Sequence, residues 1–485
     1  AATNDSRAKV PTNITRFARA LRTSQYYEPT ETQPALEVPQ IVLYQTGIGT
    51  GGATGISDSI AGTFGYGVDV HVLEAYTFFS NNYEKGDQLF LFGFSRGAFT
   101  ARAIAALICN AGLLKKKHLQ HLSKIYQLYK DRRDTKAKRD KFQEELKGLE
   151  EVHKLEFHKE VLIYHLGLWD TVGSLGIPRT WISNGLNKLG IYPSWNEHYN
   201  YHDTSFPIPT QHEGWKALII AASQALSLEE NRISFAPTLF YYPHQEQENI
   251  AVGHGTEFHQ VWFPGVHTDV GGGYERAYDD ISDITFAWMV DRCSEYLKFR
   301  PIKELHEEMK EPSLHDIDES TRTDPIPTKK GWALSDRHDE TLSWKFKLGG
   351  TTARTPGQYF LDKHHDELKG DYETKEYVHV SVRMRMLRKE EDGKLWRPAA
   401  LEGFELKKNE EGYYWHKVVE GPDKKPKDIK LREWGLNYAL PFENLLRTPA
   451  DDEILKNEKE SLALTKAENK SPSWLASWLP WNWGK

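Results

Sequence analysis

An α/β fold with a mostly parallel sheet flanked by helices is what this sequence predicts, and three observations carry that expectation. Predominantly apolar runs recur at 89–92 (LFLF), 161–169 (VLIYHLGLW) and 261–263 (VWF), and such runs suit strands buried on both faces. The first is followed within a few residues by an alanine-rich stretch of helical pattern, which makes a β-turn-α unit. Each run also delivers a polar residue and a glycine-containing loop at its end, where open α/β sheets gather ligand and catalytic groups.

The elements follow in order along the chain. Residues 12–22, TNITRFARALR, place Ile14, Phe17, Ala18 and Leu21 at helical spacing behind Thr12 or Asn13 as a cap. QIVLY, 40–44, reads as a short buried strand, and it runs into the glycine-rich QTGIGTGGATG. That loop lacks the lysine of a P-loop, so Gly47 and Gly49 serve either as turn residues or as a source of a second oxyanion donor. Residues 66–84 read as a helix, and so does the stretch from Arg96 to Leu114, whose Ala98, Ala101, Ala105 and Ala106 let it lie close to the sheet.

From 115 to 160 the text turns highly charged, with Leu119, Leu122, Ile125, Tyr126, Tyr129, Phe142, Leu146 and Leu149 at helical intervals. We read a two-helix insertion there, either a solvated hairpin or a substrate-covering cap. Beyond 330, WKFKL, YVHVSVRMRML and GYYWHKVV alternate like strands between loops such as EGPDKKPKD. The expected organisation is a catalytic domain over 1–325, a strand-containing C-terminal region over 326–450 and a tryptophan-rich tail over 451–485. Trp474, Trp478, Trp481 and Trp483 suit either docking into a protein groove or peripheral contact with a membrane interface.

Composition narrows the function classes. The 485 residues are 39% hydrophobic, 12% aromatic and 27% charged, as in a globular protein. A net charge of −7 provides no basic field for nucleic acid, and no such partner is expected. Cys109 and Cys293 are too few for a disulfide framework, which favours a cytoplasmic over a secreted setting. No run approaches the ~20 apolar residues of a membrane span, so an integral membrane protein is not expected. Asp279, Asp280 and Asp283 read as helix caps rather than metal ligands, and neither metal nor cofactor is expected.

The chemistry concentrates at GFSRG, Gly93 to Gly97, a match to the G-x-S-x-G elbow that holds a serine exposed on a strained strand-to-helix turn. The bare pattern is a weak signal, but here the required strand precedes it and the required helix follows. Ser95 is thus the candidate nucleophile, with the N–H of Arg96 as an oxyanion donor and the Arg96 side chain as either a phosphate partner or half of a structural ion pair. A serine hydroxyl needs a base, and the base needs an orienting acid. Asp170 ends one strand and His267 follows another, so Ser95, Asp170 and His267 give the nucleophile, acid, base order of an α/β-hydrolase-like fold. Asp269 competes, either as the triad acid or in a Ser/Asp dyad of the patatin type without histidine.

Long stretches of the chain, TNITRFARAL, LFLFGFSRGAFTARAIAALI, LWDTVGSLGIP and VWFPGVHTDVGGGY followed by SDITFAWMV, resemble an uncharacterised α/β-hydrolase family. That family includes the catalytic domain of type VI secretion phospholipase effectors. GWALSDRHDET, RTPGQYF and EYVHVSVRMR look like its fungal branch. The resemblance implies ester hydrolysis by a serine triad, with Ser95, Asp170 and His267 at the matching motifs, Asp269 beside them, and phospholipid as the substrate class of the bacterial effectors. Family members begin with a strand ending in an F-D-G-T-like motif before the T-N helix. None precedes Thr12, so the chain is expected to be part of a longer protein. The expected function is a serine hydrolase of lipid or carboxylic esters, the alternative a catalytically silent relative used for binding, and homo-oligomerisation is left open.

Overall fold

The computed structural model describes residues 11–29, 34–46, 63–131, 136–172, 216–240, 242–243, 257–274, 281–310, 332–335, 337–338, 351–359, 372–388, 395–421 and 424–464. Gly47, Gly49, Asp279, Asp280, the WKFKL run and the four tail tryptophans lie outside them.

In chain order the first half contains α1 (Asn13–Ala20), β1 (Ser24–Tyr27), β2 (Leu36–Pro39), α2 (Thr63–Asn82), β3 (Gln88–Phe94), α3 (Arg96–Ala111), α4 (Leu122–Asp131), α5 (Lys136–His153) and β4 (Glu160–Trp169). Then follow β5 (Lys216–Ile219), β6 (Ala221–Ser227), β7 (Tyr242–Pro243), β8 (Glu257–Phe263), α6 (His267–Gly271), α7 (Ile281–Cys293) and α8 (Ile302–Lys310). The remainder is β9 (Tyr372–Glu373), β10 (Glu376–His379), α9 (Val380–Leu387), β11 (Glu405–Asn409), β12 (Gly412–Glu420), β13 (Pro426–Trp434), α10 (Pro441–Leu446), α11 (Pro449–Lys456) and α12 (Glu458–Ala463).

One large sheet organises these elements, in the order β11-β12-β13-β10-β8-β6-β4-β3, with β5 also paired to β4. From β3 through β4, β6, β8, β10 and β13 every neighbour is parallel, and only β11 and β12 add antiparallel edges. The strands of the C-terminal region therefore extend the central sheet. The β5 and β6 segments meet β4 in one register, with Lys216 opposite Glu160 and Ala222 opposite Leu166, so they act as one strand broken at Ile220.

Side-chain alternation on β3 shows how the layers form. Leu89 and Leu91 point to the core made with α2 and α3, while Phe90, Phe92 and Phe94 pack against the cluster that holds Phe17 of α1 and Phe286 of α7. Each fully buried Leu or Phe contributes about 1.5–3 kcal/mol, so two apolar faces fix this strand between two helical layers. The 115–160 insertion spends its apolar face on the same core, with Leu122, Ile125, Tyr129, Phe142 and Leu146 buried there. Tyr126 and Lys130 both bind Asp69 of α2, at 2.6 and 2.9 Å.

Two expectations are corrected. Residues 40–44 form no strand: the β1–β2 hairpin ends at Pro39, and Ile41 to Tyr44 are exposed, Ile41 at 66%. The cause is local. Gln40 turns its amide to the carbonyls of Arg22 and Lys298 and accepts the Lys298 N–H, which leads the chain away from any ladder. The alternating run 377–387 is a strand only as far as His379. The His379 imidazole then accepts the Ser381 N–H and opens helix α9, whose polar residues are buried partners rather than a solvent face. Arg383 pairs with Glu433 at 2.7 and 2.9 Å, and Arg385 donates to the Ala333 carbonyl.

Candidate active site

The register of the parallel sheet brings the ends of three strands together. Phe94 lies opposite Trp169, and Trp169 opposite Ala225, so the residues just beyond β3 and β4 are neighbours. The Ser95 N–H donates to the Trp169 carbonyl at 3.0 Å, and the Asp170 N–H to the Ala225 carbonyl at 2.7 Å. Both residues have positive φ, 60° for Ser95 and 40° for Asp170. Such backbone costs on the order of 1–3 kcal/mol and persists only where its surroundings impose it.

At Ser95 the imposition comes from the following helix. The Ser95 carbonyl accepts the N–H groups of Ala98 and Phe99 at 3.2 and 3.3 Å, which begins α3 one residue after the strand ends. A Cβ at Gly93 would lie 2.4 Å from the Gly97 carbonyl oxygen, so only glycine fits at the first position of the motif. A Cβ at Gly97 would meet nothing within 4 Å. Crowding therefore explains Gly93, whereas space alone does not require glycine at Gly97.

The serine hydroxyl lies 2.8 Å from Nε2 of His267, and Nδ1 of the same ring lies 2.6 Å from Oδ2 of Asp170. Asp170 and His267 are buried, with side-chain exposures of 0% and 5%. The imidazole sits between two rings, tilted against Phe94 at 4.6 Å and edge-on to Phe235 at 4.9 Å. A Cβ at Gly271 would lie within 2.4 Å of the Phe94 ring, so the glycine run after His267 lets α6 close over that ring. At the far end of α6, the buried Asn13 amide donates to the carbonyls of Val270 and Ser282 at 3.2 and 3.0 Å, while Arg16 pairs with Asp283 at 2.5 Å. The T-N helix thus braces the loop that carries the histidine.

Charge sets the protonation pattern. Burial alone would raise the Asp170 carboxyl, but the Arg354 guanidinium and the His267 ring outweigh it and hold the group well below the usual carboxylate range. Asp170 is therefore an anion that accepts from Nδ1–H, which leaves the Nε2 lone pair to accept the Ser95 hydroxyl proton. The Arg354 guanidinium meets Asp170 with both arms, at 2.5 and 2.9 Å, and Ser227 adds its N–H at 2.9 Å.

Asp269 lies elsewhere in this network. Its Oδ2 accepts the Val266 N–H at 2.9 Å, its Oδ1 meets Nδ1 of His338 at 2.6 Å, and no contact joins it to the His267 ring among the described hydrogen bonds. Arg96 occupies the first position of α3, and its partial burial lowers its guanidinium from the ordinary value. Among the described residues no group of three or more His, Cys, Asp or Glu is arranged to hold a metal ion, and no helix is long and apolar enough to cross a membrane.

Sequence reasoning missed Arg354, Phe235, Ser227 and the clamping role of Phe94. For Arg354 a signal existed, because it is the first residue of RTPGQYF. Nothing in its spacing, however, ties it to a strand end more than 180 residues upstream.

The family described as "T6SS, Phospholipase effector Tle1-like, catalytic domain" matches residues 1–292. An uncharacterized protein of Saccharomyces cerevisiae is 35% identical over 157 residues, which is 29% of this chain and 22% of the yeast protein. The chain thus spans under a quarter of that relative. A crystal structure of an uncharacterized protein from Pseudomonas aeruginosa is similar at 20% identity over 46% of this chain and 26% of that one, with a TM-score of 0.25.

Proposed function

This chain belongs to the family of Tle1-like phospholipase effector catalytic domains, and from that premise we propose that it hydrolyses lipid or carboxylic esters through an acyl-enzyme at Ser95. The observation that carries the reading is the continuous relay from Ser95 Oγ to His267 at 2.8 Å and on to Asp170 at 2.6 Å. His267 Nε2 takes the hydroxyl proton as Oγ bonds to the ester carbonyl carbon, and Asp170 stabilises the imidazolium that forms. The proton then passes to the departing alkoxide, and water, activated by the same imidazole, releases the carboxylic acid. Ser95 immediately precedes α3, so the N–H of Arg96, the first residue of that helix, is the candidate donor to the developing oxyanion.

Phospholipid is the substrate class we favour, since the matching family is described by phospholipase effectors. Arg96 is the candidate partner for a headgroup phosphate. Gly47 and Gly49, and membrane contact through Trp474, Trp478, Trp481 and Trp483, remain proposals on residues outside those described. A fluorophosphonate probe tests the reading. The folded protein is expected to be labelled and the Ser95→Ala variant not, and labelling unchanged in that variant would refute it. Products released from mixed lipid and short-chain esters then name the substrate.

One observation favours a second reading, a binding protein without turnover. Among the described residues β3 has no neighbour on its outer side, and the apolar 41–44 stretch stays exposed. A folded protein that never labels would establish that reading instead.

A further inference from the structure

Three carboxylates follow the strand ends that form the site: Asp170 after β4, Glu229 after β6 and Asp269 after β8. Each is met by a basic side chain from beyond residue 292, the limit of the family match. Arg337 reaches Glu229, His338 reaches Asp269, and Arg354 reaches Asp170. The first two partners are partly exposed, whereas Arg354 is almost wholly buried, with a side-chain exposure of 2%.

Arg354 does more than neutralise a charge. Its Nη1 donates to Asp170 Oδ1 at 2.5 Å and to the Ser227 carbonyl at 2.8 Å. Its Nη2 donates to Asp170 Oδ2 at 2.9 Å and to the carbonyl of Phe235 at 2.9 Å, and the Phe235 ring in turn rests against His267. Asp170 thereby accepts from Ser227 and Arg354 on one oxygen and from His267 and Arg354 on the other. A planar fork fixes a planar carboxylate in a way that a point charge does not. The segment bearing the arginine is itself pinned, since Thr352 donates its N–H to the Asn231 carbonyl at 2.8 Å and Thr351 bridges to Arg232.

We infer that Arg354 is a positioning residue for the catalytic acid. It holds Asp170 so that one oxygen faces Nδ1 of His267, and the chain beyond the family-matched region thereby completes the active site. The inference rests on the serine-triad reading above. A merely structural cation would stabilise the fold without altering the chemistry of His267, and that difference is measurable. The charged and titratable groups around the pair are Arg354 and His267 at Asp170, Glu230 with its partner Arg232 behind the His267 N–H, and Tyr359 near Arg354. Removing the Arg354 cation leaves protonated His267 facing an uncompensated carboxylate, which favours the imidazolium. The acid limb of the rate profile then moves to higher pH.

The experiment measures the second-order rate of fluorophosphonate labelling at Ser95 from about pH 5 to about pH 9 on the full chain, with thermal melting in parallel. Arg354→Met is expected to label about 100-fold more slowly, with its half-maximal pH raised, and Arg354→Lys to restore the limb and part of the rate. A folded Arg354→Met with wild-type rate and limb overturns the inference while leaving the triad reading intact. If Arg354→Met does not fold, Arg354→Lys decides: a lowered rate on an unmoved limb supports positioning, and a wild-type rate overturns it. A wild-type protein that never labels defeats the triad reading itself.

Discussion

Two buried aspartates each grip a histidine at 2.6 Å: the first pair uses His267, which opens the five-residue helix α6, and the second uses Asp269, two residues further along the same helix. By distance alone they are equivalent. They differ in what surrounds them. The Asp170–His267 pair is sealed from solvent, its far nitrogen faces a serine hydroxyl, and a buried arginine balances the carboxylate. His338, by contrast, is 43% exposed and stacked on Tyr274 at 3.6 Å, and Asp269 divides its oxygens between that ring and the N–H that opens α6. In the proposed reading, a carboxylate–histidine contact serves catalysis through what lies beyond the imidazole. The same contact without a nucleophile behind it is a brace.

Removing His267 breaks or sharpens this distinction most strongly. His267→Ala is expected to lower Ser95 labelling and ester turnover about 10⁴-fold, because the hydroxyl loses its only described proton acceptor. Steady-state kinetics on a short-chain ester measures this directly. A residual rate within about tenfold of wild type would remove the relay from the mechanism.

The two aspartates give the next largest contrast. Asp170→Asn is expected to cost a comparable factor in rate, since an amide no longer enforces the Nδ1–H tautomer. It also leaves Arg354 buried without its counter-charge, at a cost of about 3–5 kcal/mol. Asp269→Asn keeps one oxygen to cap the Val266 N–H but loses the charged contact with His338, and is expected to cost about 0.5–1 kcal/mol and to keep most of its activity. Denaturant melts separate the two. The pH dependence carries a sign of its own. The Asp170 carboxyl lies below its ordinary range in the folded protein, so its contribution is full above about pH 4 and is lost as pH falls further. The stability gap between wild type and Asp170→Asn should therefore narrow in acid, and a gap that stays constant down to about pH 2 contradicts the depressed ionisation.

The same contrast explains what could be read from the sequence. Ser95, Asp170 and His267 were legible because each closes an apolar run and is followed by residues that cannot continue a strand. Their mutual reach follows from parallel register, which period and spacing already imply. Arg354 was not legible, since its partner is more than 180 residues away and no periodicity links a loop cation to a strand end. The failures at 40–44 and 380–387 have a common origin. Apolar or alternating residues specify a strand only where a neighbour completes the ladder. Gln40 turns the first segment onto Lys298, and the His379 cap turns the second into a helix packed by Arg383 and Arg385.

The smallest expected effect tests the brace itself. In His338→Gln an amide replaces the ring that now meets Asp269 Oδ1, and the backbone N–H of residue 338 still reaches Oδ2 at 3.3 Å. Asp269 also keeps the Val266 N–H, so the start of α6 stays capped. Loss of the stacking on Tyr274 and of one partly exposed contact should cost about 0.5–1 kcal/mol, read as a small shift of the denaturant midpoint. Ser95 labelling should stay within about threefold of wild type across the pH range. A drop of more than about tenfold would mean that the second pair acts through α6 on the first. His267 would then owe its position to both aspartates, and the division between a catalytic pair and a brace would fail.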